Sequence, residues 1–148
     1  MYQHILIPTD GSELATKGLI QGLALAKALG AKVSVLTVTE SLPSLALAAA
    51  LRSGAKDPLG DYKRQMDEQV AELSAPVQQK AAEIGVPVEL VREDNAYPAE
   101  AIVRVARDKG CDLIVMSSHG RRGISKLLLG SQTSEVLVNA TMPVHVVR

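Results

Sequence analysis

Two short polar segments carry the residues best suited to binding a phosphate-bearing ligand. The first is Pro8-Thr9-Asp10-Gly11-Ser12, directly after the apolar run 4–7. The second begins Ser117-Ser118-His119-Gly120-Arg121-Arg122-Gly123 and reaches Gly130-Ser131 after an apolar stretch. Glycines expose backbone N–H groups and admit close approach by a ligand. Gly130-Ser131 opens a predicted helix, and the free amides and dipole at a helix N-terminus favour phosphate. The hydroxyls of Ser131 and Thr133 would add donors.

Each segment alone also fits an ordinary structural role. In the first, Asp10 or Ser12 can cap a following helix while Gly11 allows the bend. In the second, Ser131 can be the N-cap of a helix that follows a surface loop. The fragments taken singly leave both interpretations open.

The elements that must position these segments alternate along the chain. The sequence predicts five strands, His4–Ile7, Val33–Val38, Val86–Arg92, Cys111–Met116 and Pro143–Arg148, and four helices, Glu13–Leu29, Tyr62–Ile84, Pro98–Lys109 and Ser131–Ala140. Gly30, Gly85 and Gly110 suit left-handed positions where three helices end. Such βα alternation with near-continuous apolar strands predicts an α/β fold, a parallel sheet with helices on both faces.

Two stretches interrupt this pattern. Pro76 falls inside the second predicted helix, where a proline should kink or divide it. Residues 41–61 contain Pro43, Gly54, Pro58 and Gly60 around an Ala-rich stretch. We interpret this segment as an insertion or mobile loop, with room for a short helix.

The fold prediction brings the two polar segments together. In a doubly wound sheet, ligands bind beyond the carboxyl ends of the strands, where the strand order reverses. If the first and fourth strands are neighbours, both segments line one crevice.

Composition narrows the function classes. The 148 residues correspond to one domain, residues 1–148, and 16 basic residues balance 16 acidic ones. With zero net charge and neither Trp nor Phe, we expect no nucleic-acid partner. The single Cys111 allows no internal disulfide, is expected to be a buried inert thiol, and is typical of a cytoplasmic protein. The Ala/Leu-rich stretch 45–51 is too short to span a bilayer, and residues 1–12 do not resemble a signal peptide, so no membrane association is expected.

Several catalytic motifs are absent from the sequence. It contains neither a Walker A pattern nor G-x-G-x-x-G, and no G-x-S-x-G nucleophile elbow. His4, His119 and His145 are scattered, so no zinc or other protein-held metal site is expected. No residue is placed as an obvious base for water, so the sequence predicts no catalytic residue.

Taken together, the segments resemble the universal stress protein family over nearly the whole chain. The resemblance is carried by HILIPTDGS at 4–12, DLIVM at 112–116 with Ser118-His119-Gly120, LLLGS at 127–131 and MPVHVV at 142–147. The ATP-binding branch of that family has Gly, two residues, Gly, nine residues, then Gly followed by Ser or Thr. Here Gly120 and Gly130-Ser131 match, whereas Ser117 replaces the first glycine. Its side chain would either crowd the sugar or donate a hydrogen bond to it.

The resemblance implies a fold that is Rossmann-like, of the adenine nucleotide alpha hydrolase-like type, and a site for ATP with any Mg²⁺ held by the phosphates. It implies an adenine pocket near Pro8, Thr9, Asp10 and Val38, with Met116 beside it. Ribose and phosphate contacts would come from Ser117, His119, Gly120, Gly130, Ser131 and Thr133, and from the backbone of Gln132. Arg121, Arg122 and Lys126 could add positive charge, although a solvated basic face also accounts for them.

The implied function is a nucleotide-dependent regulatory module in a stress response, with at most slow ATP hydrolysis. The alternative is an interaction protein of the same fold that binds no nucleotide and acts as a dimer. A homodimer built on the C-terminal strand is expected in either case. Val144, Val146 and Val147 form a β-prone tail whose free backbone groups would template a second strand.

Overall fold

The protein forms one five-stranded parallel sheet flanked by helices, in a computed structural model that describes residues 1–120 and 128–148. The strands are β1 His4–Pro8, β2 Lys32–Val38, β3 Val88–Glu93, β4 Leu113–Ser117 and β5 Val144–Val147. The helices are α1 Glu13–Leu29, α2 Ser44–Arg52, α3 Pro58–Ile84, α4 Pro98–Asp108 and α5 Ser131–Asn139. The predicted α/β fold class is therefore confirmed.

The strand order is β3-β2-β1-β4-β5, and every adjacent pair is parallel. The order therefore reverses between β1 and β4, as in other doubly wound sheets. Ile5 is paired with Leu113 and Leu6 with Ile114, so the neighbourhood of the first and fourth strands, on which the predicted crevice depended, is present.

Alternate residues of the central strands build two hydrophobic cores, one on each face of the sheet. Ile5 and Ile7 of β1 lie in the core under α1 and α3, whereas Leu6 lies in the core under α4 and α5. All three are completely buried. Because side chains of a strand point alternately to opposite faces, the unbroken apolar run in β1 supplies both layers.

The glycines predicted to end helices do so. Gly30 and Gly85 have positive φ values of 65° and 82°, and each donates its backbone N–H back to the last turn of its helix. Gly110 also has a positive φ. These positions let the chain reverse directly into the next strand.

Of the alternatives for the two interrupting stretches, the structure shows a short helix within 41–61 and excludes a division of the helix at Pro76. Most of the 41–61 segment is helical, because α2 occupies Ser44–Arg52 and α3 begins at Pro58, where Asp57 accepts a hydrogen bond from the Gly60 amide at 3.1 Å. Pro76 does not divide α3, which continues unbroken to Ile84. Val77 and Ala81, just beyond the proline, are buried in the core and hold that part of the helix against the sheet.

Cys111 is buried, and burial raises the pKa of its thiol to about 11, which keeps it protonated and unreactive near neutral pH. No helix within residues 1–120 and 128–148 is long and apolar enough to cross a membrane.

Candidate functional site

A cavity of about 450 Å³ opens at the carboxyl ends of the strands, over the point where the strand order reverses. Its volume lies within the ordinary range for small-molecule sites. All twelve residues singled out from the sequence line it: Pro8, Thr9, Asp10, Val38, Met116, Ser117, His119, Gly120, Gly130, Ser131, Gln132 and Thr133.

The segment after β1 performs both of the roles that the sequence left open. Ser12 is the N-cap of α1, and its hydroxyl accepts a hydrogen bond from the Ala15 amide at 3.1 Å. Gly11 makes the bend with a φ of 77°. Asp10 accepts from the Ser12 amide at 2.9 Å and also lines the cavity, as does the buried Thr9. The helix cap therefore holds the cavity residues in place.

The segment after β4 lies directly against the first. A Cβ built on Gly120 would lie 2.5 Å from Asp10 Oδ2, so a side chain at that position would push the carboxylate aside. Ser117 is buried and does not leave its hydroxyl free, because it donates to the His119 carbonyl at 2.8 Å. His119 Nδ1 lies 3.1 Å from the Ser118 hydroxyl. The two polar segments thus form a single wall of the cavity.

Helix α5 points its N-terminus into the cavity. Its N-cap is Gly130, and no side chain of the residues that the structure describes caps the first amides of the helix. Gly130 itself donates its N–H to the Ser118 carbonyl at 2.8 Å. A Cβ on Gly130 would lie 3.0 Å from that same carbonyl oxygen. A larger residue would therefore collide with the turn after β4.

Two side chains of α5 are committed to the protein. The Thr133 hydroxyl, almost fully buried, lies 2.9 Å from the Ser117 carbonyl and 3.1 Å from the Ser118 carbonyl, which share its single proton. The Gln132 side chain accepts from the Ala99 amide at 2.9 Å and so caps α4 from the neighbouring helix. Ser131, in contrast, is exposed and lines the cavity.

Helix α3 forms a wall that the sequence reasoning missed. Tyr62, Met66, Gln69, Val70 and Leu73 recur at helical spacing and line the cavity along one face of α3. The Tyr62 hydroxyl donates to the Glu40 carbonyl at 2.7 Å and ties α3 to the chain after β2. The helical spacing of these residues could have indicated that they share one face of α3. It does not indicate which strand ends that face covers. The remaining missed lining residues are Ala15, Leu36, Thr37, Thr39, Glu40, Pro98 and Ile102.

The end of β2 is held by a small polar network. The Thr39 hydroxyl donates to Asp94 at 2.6 Å, and Arg92 donates to the same carboxylate at 2.7 Å. Partial burial opposes ionisation of Asp94, but the bonds from Thr39 and Arg92 outweigh it and lower its pKa below the ordinary value. The network therefore fixes Thr39, and with it one edge of the cavity.

Three basic residues were expected to add positive charge near the phosphates. They are Arg121, Arg122 and Lys126, and they lie outside the described residues. The cavity lining contributed by residues 1–120 and 128–148 includes the acidic Asp10 and Glu40 but neither Lys nor Arg. Within the same ranges no cluster of three or more His, Cys, Asp or Glu could hold a metal ion.

The sequence and the fold of this chain were compared with protein families, curated proteins and solved structures. The family model for the universal stress protein family matches residues 1–148. A universal stress protein of Methanocaldococcus jannaschii, MJ0531, is 32% identical over 148 residues, covering 100% of this chain and 83% of the relative. The solved structure of MJ0577, from the same organism, has a TM-score of 0.80 and 28% identity, and the match covers 99% of this chain and 96% of that one.

Two more distant structures share the fold and contain a nucleotide. A universal stress protein in complex with cAMP has a TM-score of 0.73 and 20% identity, covering 99% of this chain and 97% of the other. The universal stress protein from Archaeoglobus fulgidus in complex with dAMP has a TM-score of 0.69 and 17% identity, covering 99% and 98%. With the family model and the M. jannaschii relative both matching over the full length, this chain belongs to the universal stress protein family.

Proposed function

We propose that the cavity binds ATP and that the protein is a nucleotide-dependent regulatory module of a stress response. The observation that carries the proposal is that both predicted segments, which are more than 100 residues apart, line one cavity at the strand-order reversal. Ligands of doubly wound sheets bind at this position.

The chemistry of the cavity fits the parts of an adenine nucleotide. The apolar lining residues, which offer a surface for a base, include Met66, Val70 and Leu73 of α3 together with Val38 and Met116. The N-terminus of α5 at Gly130, which lines the same cavity as Gly120, offers donors for phosphate oxygens. The two distant relatives that contain cAMP and dAMP bind ligands with these same parts, an adenine and a phosphate.

Any Mg²⁺ bound with ATP would be held by the phosphates, since no protein ligand cluster is present in the described residues. Hydrolysis would be slow at most. For a regulatory role, ATP binding must then change the conformation of the protein or its choice of partner. A cytoplasmic location is consistent with ATP as the ligand.

Titration calorimetry of the purified protein with ATP tests the proposal. We expect a dissociation constant in the micromolar class, a binding free energy of roughly −7 to −9 kcal/mol. Denaturing freshly purified protein and assaying the supernatant for adenine nucleotides gives an independent readout. No binding of ATP at millimolar concentration, together with no released nucleotide, would rule the function out.

A second candidate function, an interaction protein that acts as a homodimer, is favoured by the position of β5. This strand is at the edge of the sheet and is paired only with β4. The carbonyls of Pro143 and Val147 accept hydrogen bonds from the amides of Ile114 and Ser118, on the β4 side of the strand. Because successive residues of a strand direct their backbone groups to opposite sides, the N–H and C=O groups of Val144 and Val146 point away from β4. An unpaired edge of this kind can add the same strand of a second copy about a two-fold axis.

Sedimentation distinguishes the dimer from an edge left open to water. We expect the intact chain to be dimeric at about tens of micromolar, and Val146→Pro, which deletes an outward N–H, to be monomeric. Deleting residues 144–148 should give a monomer or insoluble protein. Intact chain that sediments as a monomer at this concentration would overturn the dimer. A dimer that binds no nucleotide would favour the second function over the first.

A further inference from the structure

The position where Ser117 replaces the family's first motif glycine forms part of a hydrogen-bonded turn, Ser117-Ser118-His119, which we call the β4 turn. The carbonyls of all three residues are occupied. The carbonyls of Ser117 and Ser118 share the single proton of the Thr133 hydroxyl, at 2.9 and 3.1 Å, and the His119 carbonyl accepts from the Ser117 hydroxyl at 2.8 Å. The Gly130 amide adds a second bond to Ser118. Each peptide plane of the turn is therefore held in one orientation.

This orientation determines where the next amide points. The described backbone contains no cis peptide bond, and across a trans peptide bond the C=O and N–H point in opposite directions. Because the His119 carbonyl points at the Ser117 hydroxyl, the Gly120 amide points away from it. Both His119 and Gly120 line the cavity. A glycine at 117 would leave the His119 carbonyl without this donor.

The Ser117 hydroxyl has no second proton to offer. A serine carries a single O–H donor, and here it is directed to a carbonyl within the turn. Its side chain is 8% exposed, and α1 approaches the same residue so closely that a Cβ on Gly18 would lie 3.2 Å from the Ser117 amide nitrogen. The packing therefore leaves little room for the backbone of Ser117 to shift away from this bond.

We propose that Ser117 is a positioning residue that braces the β4 turn and orients the Gly120 amide as a donor for the phosphates of the ligand. The proposal rests on the proposed function, because it assigns a role within the nucleotide site. It assigns Ser117 a role different from both effects that the sequence left open at this position. In this arrangement the serine neither crowds the sugar nor donates to it.

Two substitutions at 117 separate these possibilities. Ser117→Ala removes the hydroxyl alone, and Ser117→Gly restores the glycine of the family motif. If Ser117 braces the turn, both variants bind ATP about five- to tenfold more weakly, the loss that corresponds to one net hydrogen bond. Adenosine, which has no phosphate, should change by less than about twofold by the same reasoning. Ser134→Ala, the same change in α5 outside the cavity lining, is the matched control.

A readout without ligand tests the brace separately. Hydrogen exchange of the Gly130 amide, which is bonded to Ser118, should accelerate in Ser117→Ala and stay unchanged in Ser134→Ala. Tighter ATP binding by Ser117→Gly would show crowding and overturn the proposal. An equal loss of affinity for adenosine and ATP would show a direct contact with the nucleoside and also overturn it. Wild-type protein that does not bind ATP would overturn the proposed function, while unchanged Gly130 exchange would overturn the brace itself.

Discussion

The two walls of the cavity are held in different ways. The wall formed by the β4 turn and the start of α5 is cross-linked by short hydrogen bonds from buried hydroxyls, those of Ser117 and Thr133. The wall formed by α3 has no fully buried residue over residues 58–76, since Val77 and Ala81 are the buried residues of that helix. There α3 is tied down by Tyr62 and by an ion pair of Asp67 with Arg92.

This difference separates a preorganised wall from an adaptable one. Burial and internal hydrogen bonds raise the free energy needed to open a segment locally, whereas exposed helices with few apolar contacts open more easily. We therefore expect the β4 turn to keep one shape with or without ligand. The first half of α3, together with α2, which contains no buried residue, is the part that can adjust. Substitutions should then have large effects on the first wall and small effects on the second.

The largest effect is expected from Gly130→Val. Its Cβ would lie 3.0 Å from the Ser118 carbonyl oxygen and 3.4 Å from His119 Cα, and backbone atoms cannot move aside cheaply. Overpacking of this kind costs about 1–3 kcal/mol. We expect ATP binding to fall by more than about tenfold, the equivalent of 1.4 kcal/mol. Calorimetry and thermal melting would measure both effects, and normal ATP binding by the variant would contradict this account of the turn.

Thr133→Val should have the next largest effect. The substitution preserves the shape of a side chain that is 2% exposed, but it removes the donor shared by the Ser117 and Ser118 carbonyls. Leaving such buried acceptors without this donor costs about 1–3 kcal/mol in unfolding free energy. Chemical denaturation would measure the loss. Thr133→Ser, which retains the hydroxyl, is the control and should keep most of the stability.

Tyr62→Phe tests the adaptable wall. It deletes the hydroxyl that donates to Glu40 at 2.7 Å and leaves the ring in place. Because Tyr62 is only half-buried and water can replace the lost bond, we expect at most about 1 kcal/mol of destabilisation. ATP affinity should drop less than in Thr133→Val. A larger loss in Tyr62→Phe than in Thr133→Val would reverse the comparison between the two walls.

The smallest effect is expected from Asp94→Asn and should depend on pH. The folded-state pKa of Asp94 is lowered, so its contribution to stability is present above the ordinary value of 3.8 and is lost as pH falls through the folded value. The side chain is 48% exposed, which limits the contribution to well under about 1 kcal/mol. Melting temperatures of the two proteins should therefore differ near neutral pH and converge in acid. A difference that grows on acidification would contradict the assigned direction.

Much of the architecture could be predicted from the sequence because its signals are local. The alternation of apolar runs and helical segments, with Gly30 and Gly85 at helix ends, is enough to predict a parallel α/β sheet. Once the sheet is parallel, every segment that follows a strand lies at the same edge. That rule predicts from the sequence that Asp10 and Gly120 lie at the same edge of the sheet, and both residues line the cavity.

What the tertiary structure alone decided is how side chains from distant segments meet at that edge. The α3 wall depends on which face of a 27-residue helix packs against α1 and β3, and the bond from Tyr62 to Glu40 spans 22 positions. The Gln132 side chain caps α4 across 33 positions, and the Ser117 hydroxyl turns inward to His119 rather than to the cavity. Sequence determines which groups are available and where each strand ends. The choice of partner for each group depends on helix rotation and packing, which only the folded molecule specifies.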